Sequence, residues 1–193
     1  MSRIDDSLPF HPVRIAVLTV SDSRTVATDK SGDTLVERLV EAGHVLADRG
    51  IVPDDRPAIV TRLKGWIADP AVDVILTTGG TGLTGRDVTV EAHREVYEKE
   101  IEAFGTVFTV VSMQKIGTSA VQSRATGGVA GGTYLLSLIH IYGFWARAFV
   151  LFLLNIVFIG FVVGPFMAYP AWRKRAEEAA RQHLLIDGIR QRA

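Results

Sequence analysis

With 193 residues the chain has room for one domain with a full core and for an appendage, since domains most often run to about 100 to 150 residues. Lys and Arg together number 21, as do Asp and Glu, so there is no basic excess to replace phosphate counterions, and nucleic acid is set aside as a partner. The absence of cysteine removes disulfides, thiolate zinc sites and cysteine nucleophiles.

Taken in chain order, the first ten residues are polar and lack the apolar core of a signal peptide, so the domain that follows is expected in the cytoplasm. Residues 13–20 (VRIAVLTV) form a nearly continuous β-branched and aliphatic run, as expected of a strand covered on both faces in a parallel sheet. A helical pattern over residues 34–42 ends at Gly43. An alternating strand is predicted over 44–52, a second helix over 56–68, and a second buried strand over 72–78 (VDVILTT). Beyond Gly79 come a helix over 89–98, an apolar-faced helix over 103–115 and a strand over 133–136. The β-α-β-α-β order predicts an α/β domain over 1–136, built as a three-layer, mostly parallel, Rossmann-like sheet.

The chain then changes character. After a junction at 137–147, residues 148–168 carry no charge and one strongly polar side chain, Asn155. A helix of about 20 apolar residues spans a hydrocarbon core of about 30 Å, so a transmembrane helix is predicted here, with a fully buried core helix as the alternative. Trp145, Tyr169 and Trp172 suit the membrane interfaces, and Arg173, Lys174 and Arg175 form a basic stop. The charged tail, 169–193, reads as a solvated helix.

In doubly wound sheets ligands bind beyond the carboxyl ends of the strands. After the first strand stand Ser21, Asp22, Ser23 and Arg24, then Asp29-Lys30-Ser31-Gly32; after the second, Pro53-Asp54-Asp55; after the third, the string TTGGTGLTGRD over residues 77–87. Glycines there let backbone N–H groups approach an anion, and the helix that follows adds its positive end, which suits phosphate. A tight turn is the plainer account of the same glycines. Asp87 taken alone reads as a helix cap, and Asp54 as a turn former after Pro53. Together, on neighbouring strand ends beside a phosphate loop, they suit Mg²⁺. The histidines, His11, His44, His93, His140 and His183, have no metal-ligand spacing, and no serine lies in a nucleophile elbow.

The strings LTVSDSR, DKSG, IVPDD, TTGGTGLTGRDVT, EAFGTVF and IGTSAVQSRA, in this order and spacing, resemble the molybdenum cofactor biosynthesis protein B and molybdopterin adenylyltransferase family. The likeness covers residues 10–136 and favours the B-type branch. It implies a cytoplasmic trimer or hexamer that binds molybdopterin and, in active members, uses MgATP to adenylylate the terminal phosphate of the pterin. The family's essential acidic pair falls on Asp54 and Asp87, which would hold Mg²⁺ and position the triphosphate. Gly79, Gly80, Thr81 and Gly82 would cradle phosphate. Ser21, Asp22, Ser119, Ser123 and Arg124 would line the pterin side. A B-type protein without transferase activity would be a non-catalytic molybdopterin binder.

The resemblance stops after the strand at 133–136. Where the family continues into a glycine-bearing loop and a final amphipathic helix, this chain has SLIHIY and the apolar segment, so one sheet face is expected to lose its cover. The string at 137–141 resembles translated sequencing adapter, which suggests a chimeric reading frame. A genuine tail would instead make this a membrane-tethered interaction protein. Arg173, Lys174, Arg175 and Arg181 against Arg147 would place the C-terminus in the cytoplasm and the domain outside, away from ATP, which favours the chimera.

Overall fold

The computed structural model describes residues 10–138. Strand β1 (Arg14–Val20) lies between β2 (Val45–Val52) and β3 (Val74–Thr78), all parallel. The last strand, β6 (Thr133–Leu138), runs parallel to β3, and β5 (Thr126–Ala130) and β4 (Lys99–Glu100) continue antiparallel, giving a six-stranded sheet in the order β2-β1-β3-β6-β5-β4. The helices are α1 (Lys30–Glu41), α2 (Arg56–Ile67), α3 (Thr89–Val96) and α4 (Glu102–Ile116), with short 3-10 segments at Val26–Thr28 and Gly117–Gln122.

Alternation along the strands divides the helices between the two faces. Leu18, Ile75 and Leu135 form one core with Ile59, Leu63 and Trp66 of α2 and Ala92 of α3. Thr19, adjacent to Leu18, points the other way and donates from its hydroxyl to Asp29 at the start of α1 (2.7 Å). On that second face Phe104 of α4 lies against Gly127 and Leu136, where a Cβ at Gly127 would come within 2.9 Å of the Phe104 ring. Leu18, Ile75 and Leu135 are wholly buried, each worth about 1.5–3 kcal/mol of transfer from water. The α/β three-layer expectation therefore holds, with the helices on both faces of a mostly parallel sheet.

Several boundaries differ from expectation for identifiable reasons. Helix α1 begins at Lys30, earlier than the apolar pattern indicates, because Asp29 caps it by accepting from Gly32 N (3.0 Å). Strands β4 and β5 lack the usual signals, being two residues long in one case and TGGVA in the other. The glycines of β5 are imposed by packing, since a Cβ at Gly128 would stand 2.5 Å from the Tyr97 ring. Strand β6 continues through Ser137 and Leu138, past the domain end expected at residue 136. Val17, Leu76, Leu136 and Leu138 are buried, and the segment that replaces the family's final loop and helix lies outside the described residues. No described helix is long and apolar enough to cross a membrane. The span expected over 148–168, the tail over 169–193, His140 and His183 lie outside the described residues.

Candidate functional site

The carboxyl ends of β1, β2 and β3 lie side by side, so the loops after them meet at one edge of the sheet. Gly79 opens the central loop with φ of 98°, and a Cβ there would run into the Val20 carbonyl at the end of β1. Gly80 follows with φ of 61°. Both conformations are ones that a side chain with Cβ rarely adopts.

The loop carbonyls are consistently turned inward. Gly79 O accepts from the Thr89 hydroxyl (2.9 Å), Gly80 O from Thr89 N (3.1 Å), Thr81 O from Arg124 N (3.1 Å) and Gly82 O from Arg124 Nε (2.7 Å). None of the four is left to repel an anion. Thr81 is wholly buried, and neither its hydroxyl nor the buried Ser123 hydroxyl in the neighbouring segment has a partner among the described residues.

The acidic residues converge on this loop from two sides. Asp54 stands at Gly80, where a Cβ would come within 2.7 Å of Asp54 Oδ1. Its carboxylate has one hydrogen-bond donor among the described residues, Val88 N at 3.5 Å. Burial, then the nearby charges of Asp87 and Asp22, push its carboxyl above the ordinary range. Asp22 accepts from Asp54 N (3.0 Å) and from Arg86 Nη2 (2.6 Å), and these two bonds hold its carboxyl below the ordinary range. Arg86 is 81% exposed, held to the protein by that ion pair.

Asp87 stands at Gly82, where a Cβ would meet Asp87 Oδ2 at 2.8 Å. Its carboxylate accepts from the Thr84 hydroxyl (2.6 Å) and Thr84 N (2.9 Å), which depress its protonation. The helix-cap reading of Asp87 is therefore corrected: Val88 occupies the cap position of α3 and makes no side-chain cap bond, while Asp87 closes the loop over residues 84–87 instead. Asp55, not Asp54, caps α2 by accepting from Ala58 N (3.0 Å).

The residues expected to line the pterin side are placed unevenly. The Ser21 hydroxyl accepts from Ser23 N and Arg24 N, both at 3.3 Å, and so shapes its own loop. Ser119 is exposed on the 3-10 segment after α4. Arg124 is bound into the glycine loop, with Nη2 donating to Asp87 O (2.6 Å) and Nη1 paired to Glu91. Glu91, Thr89 and Arg86 gave no sign of a role in the sequence, because their partners lie across the fold.

Behind the loop, His93 is completely buried, with Nε2 at 2.9 Å from the Thr77 hydroxyl and Nδ1 at 3.2 Å from the Tyr97 hydroxyl. Burial pushes its pKa down to about 3, so the ring is neutral and serves as structure. No group of three His, Asp or Glu side chains forms a metal cage among the described residues. Two carboxylates beside the glycine loop are a donor set that fits Mg²⁺, which takes one or two protein carboxylates and completes its shell with water and substrate phosphate. The Asp54 carboxylate, with a single long contact from Val88 N among the described residues, is the one free to take such a cation.

Residues 16–138 match the family model described as a probable molybdopterin binding domain. The chain belongs to this family. It is 46% identical over 132 residues to molybdenum cofactor biosynthesis protein B of Escherichia coli K12, covering 68% of this chain and 78% of that protein. The protein of the same name from Bacillus cereus is 46% identical over 127 residues, covering 65% and 75%. A crystal structure of molybdenum cofactor biosynthesis protein B superposes with a TM-score of 0.65 at 45% identity, covering 67% of this chain and 81% of that one. The tungsten cofactor synthesizing protein of Pyrococcus furiosus gives a TM-score of 0.60 at 34% identity over 68% and 84%. The domain is thus a molybdopterin-binding fold with a role in molybdenum cofactor biosynthesis, and the family match ends where β6 ends.

Proposed function

We propose that this chain binds molybdopterin and transfers AMP from ATP to the terminal phosphate of the pterin. The observation that carries this reading is the convergence of Asp54 on Gly80 and Asp87 on Gly82, beside a loop whose four carbonyls from Gly79 to Gly82 are each hydrogen-bonded within the protein. In the transfer, an oxygen of the pterin phosphate bonds to the α-phosphorus of ATP. The bond from that phosphorus to the bridging oxygen breaks, and pyrophosphate leaves with the electron pair. Such chemistry depends mostly on positioning and charge stabilisation. Mg²⁺, when bound, would neutralise triphosphate charge. Asp54 offers the carboxylate with the fewest internal partners as its ligand, and Asp87 contributes charge while fixing the loop through Thr84.

A second reading is a non-catalytic molybdopterin binder, favoured by the engagement of Asp87 with Thr84 N and the Thr84 hydroxyl. Pyrophosphate release by the 193-residue chain with molybdopterin and MgATP, beside a calorimetric pterin titration, separates the two. Loss of turnover in Asp54→Ala and Asp87→Ala with pterin affinity retained supports the enzyme. Pterin binding without turnover in the unmutated chain selects the binder, and a folded sample that binds no pterin removes both.

A further inference from the structure

Arg124 is far in sequence from the glycine loop, yet it holds that loop at three points and the helix after it at a fourth. Its backbone N–H donates to Thr81 O (3.1 Å), Nε to Gly82 O (2.7 Å) and Nη2 to Asp87 O (2.6 Å), while Nη1 is paired to Glu91 in the first turn of α3. Each of the three guanidinium nitrogens is therefore engaged within the protein. The Glu91 carboxylate in turn is held below its ordinary range because the pairing with Arg124 outweighs the burial that opposes it.

The consequence for an anion follows from peptide geometry. A peptide plane that turns exchanges its N–H for its C=O, so a loop that binds phosphate through N–H groups must keep its carbonyls from rotating outward. Glycines resist such rotation least, since they lack the Cβ that restricts other residues. Thr89 fixes the first two carbonyls of the loop, and Arg124 fixes those of Thr81, Gly82 and Asp87.

We propose that Arg124 is a positioning residue, clamped by Glu91, that sets the peptide planes of the glycine loop and touches neither nucleotide nor pterin. This rests on the reading of the loop as a phosphate cradle, and it departs from the resemblance, which puts Arg124 among the pterin-lining residues. Lysine cannot substitute, because one ammonium cannot bridge two carbonyls and a carboxylate in the plane that a guanidinium fork spans.

Amide hydrogen exchange of the free 193-residue protein tests the clamp without any ligand. Arg124→Lys and, more mildly, Glu91→Gln speed exchange over residues 80–88 by about tenfold or more while β1 and β3 stay protected. In Arg124→Ala, millimolar guanidinium restores that protection and ammonium does not. Affinity for magnesium pyrophosphate falls about tenfold in Arg124→Lys, while pterin affinity measured separately is kept. Unchanged exchange over residues 80–88 in both variants overturns the proposal, as does a rise spread evenly over the whole domain or a loss of pterin affinity larger than that for pyrophosphate. If the unmutated chain binds no phosphate compound, the phosphate-cradle reading falls, while the exchange comparison still decides whether Arg124 sets the loop.

Discussion

The Asp54 carboxyl occupies the space that any side chain at Gly80 would need, with Oδ1 only 2.7 Å from where a Cβ would stand. The same Cβ would run into the Thr89 hydroxyl, and the backbone there has φ of 61°. Gly80→Ala is therefore expected to destabilise the fold by about 1–3 kcal/mol, and to displace Asp54. Thermal melts and MgATP titration of the variant check both effects; an unchanged melting temperature with unchanged affinity would show that the contact is slack.

Burial, then the charges of Asp87 and Asp22, disfavour the charged form of Asp54 and push its carboxyl above the ordinary range. A group with a raised folded-state pKa binds protons more tightly in the folded chain, so its contribution to stability is lost as pH rises through that range. Asp54→Asn should then raise the melting temperature at neutral pH while removing Mg²⁺-dependent turnover. Added Mg²⁺ should raise the melting temperature of the unmutated chain and leave Asp54→Asn unmoved. A variant that melts lower and still responds to Mg²⁺ would contradict the assignment.

Buried His93 predicts a particular acid limb. Its folded pKa of about 3 lies below the ordinary histidine value of about 6.5, so between these pH values the unfolded chain holds the extra proton. Stability is full above that window and falls with acidification by up to about 1.4 kcal/mol per pH unit. His44, also pushed down by burial, adds to the same window. The slope between about pH 6.5 and 4.5 should be shallower in His93→Gln than in the unmutated chain; equal slopes in chemical denaturation series would rule His93 out as the cause.

Asp29 is wholly buried and is met by Gly32 N (3.0 Å), the Thr19 hydroxyl (2.7 Å) and Arg49 Nη2 (2.9 Å). Burial pushes its carboxyl up, but these partners outweigh it and hold it below the ordinary range. Removing the carboxylate leaves Arg49 with the Asp33 carboxylate and the backbone carbonyl of residue 29, and α1 without its cap. Asp29→Ala is expected to cost about 3–5 kcal/mol in denaturant titrations, whereas Asp33→Ala, at a more exposed pair, should cost about 1 kcal/mol or less.

The central strands and the glycine loop were legible because their causes are local. The VRIAVLTV and VDVILTT runs are apolar on both faces, and the glycines after β3 advertise an unusual backbone. Strand β5 was not legible, because Gly127 and Gly128 are required by the Phe104 and Tyr97 rings brought in from distant positions. The start of α1 was hidden because Lys30-Ser31-Gly32-Asp33 has no apolar periodicity and depends on the Asp29 cap. At the site, spacing named Asp54 and Asp87 but could not tell a ligand from a brace. Nor could it name their partners, Thr84 for Asp87 and, for the Asp54 carboxylate, a long contact from Val88 N.

The position of β6 bears on how the protein is made. It is the last described strand in sequence, yet it lies between β3 and β5 and, among the described strands, is what joins the β2-β1-β3 ladder to the β5-β4 ladder. During synthesis the first ladder can assemble as soon as β3 leaves the ribosome, but the β5-β4 ladder has nothing to join it to β3 until residues 133–138 emerge. Until then the open edge of β3, fully apolar or hydroxyl-bearing along VILTT, stands unpaired and prone to pair with other nascent chains. A chain stalled or cut just before Thr133 would lose the seam of its sheet along with one strand.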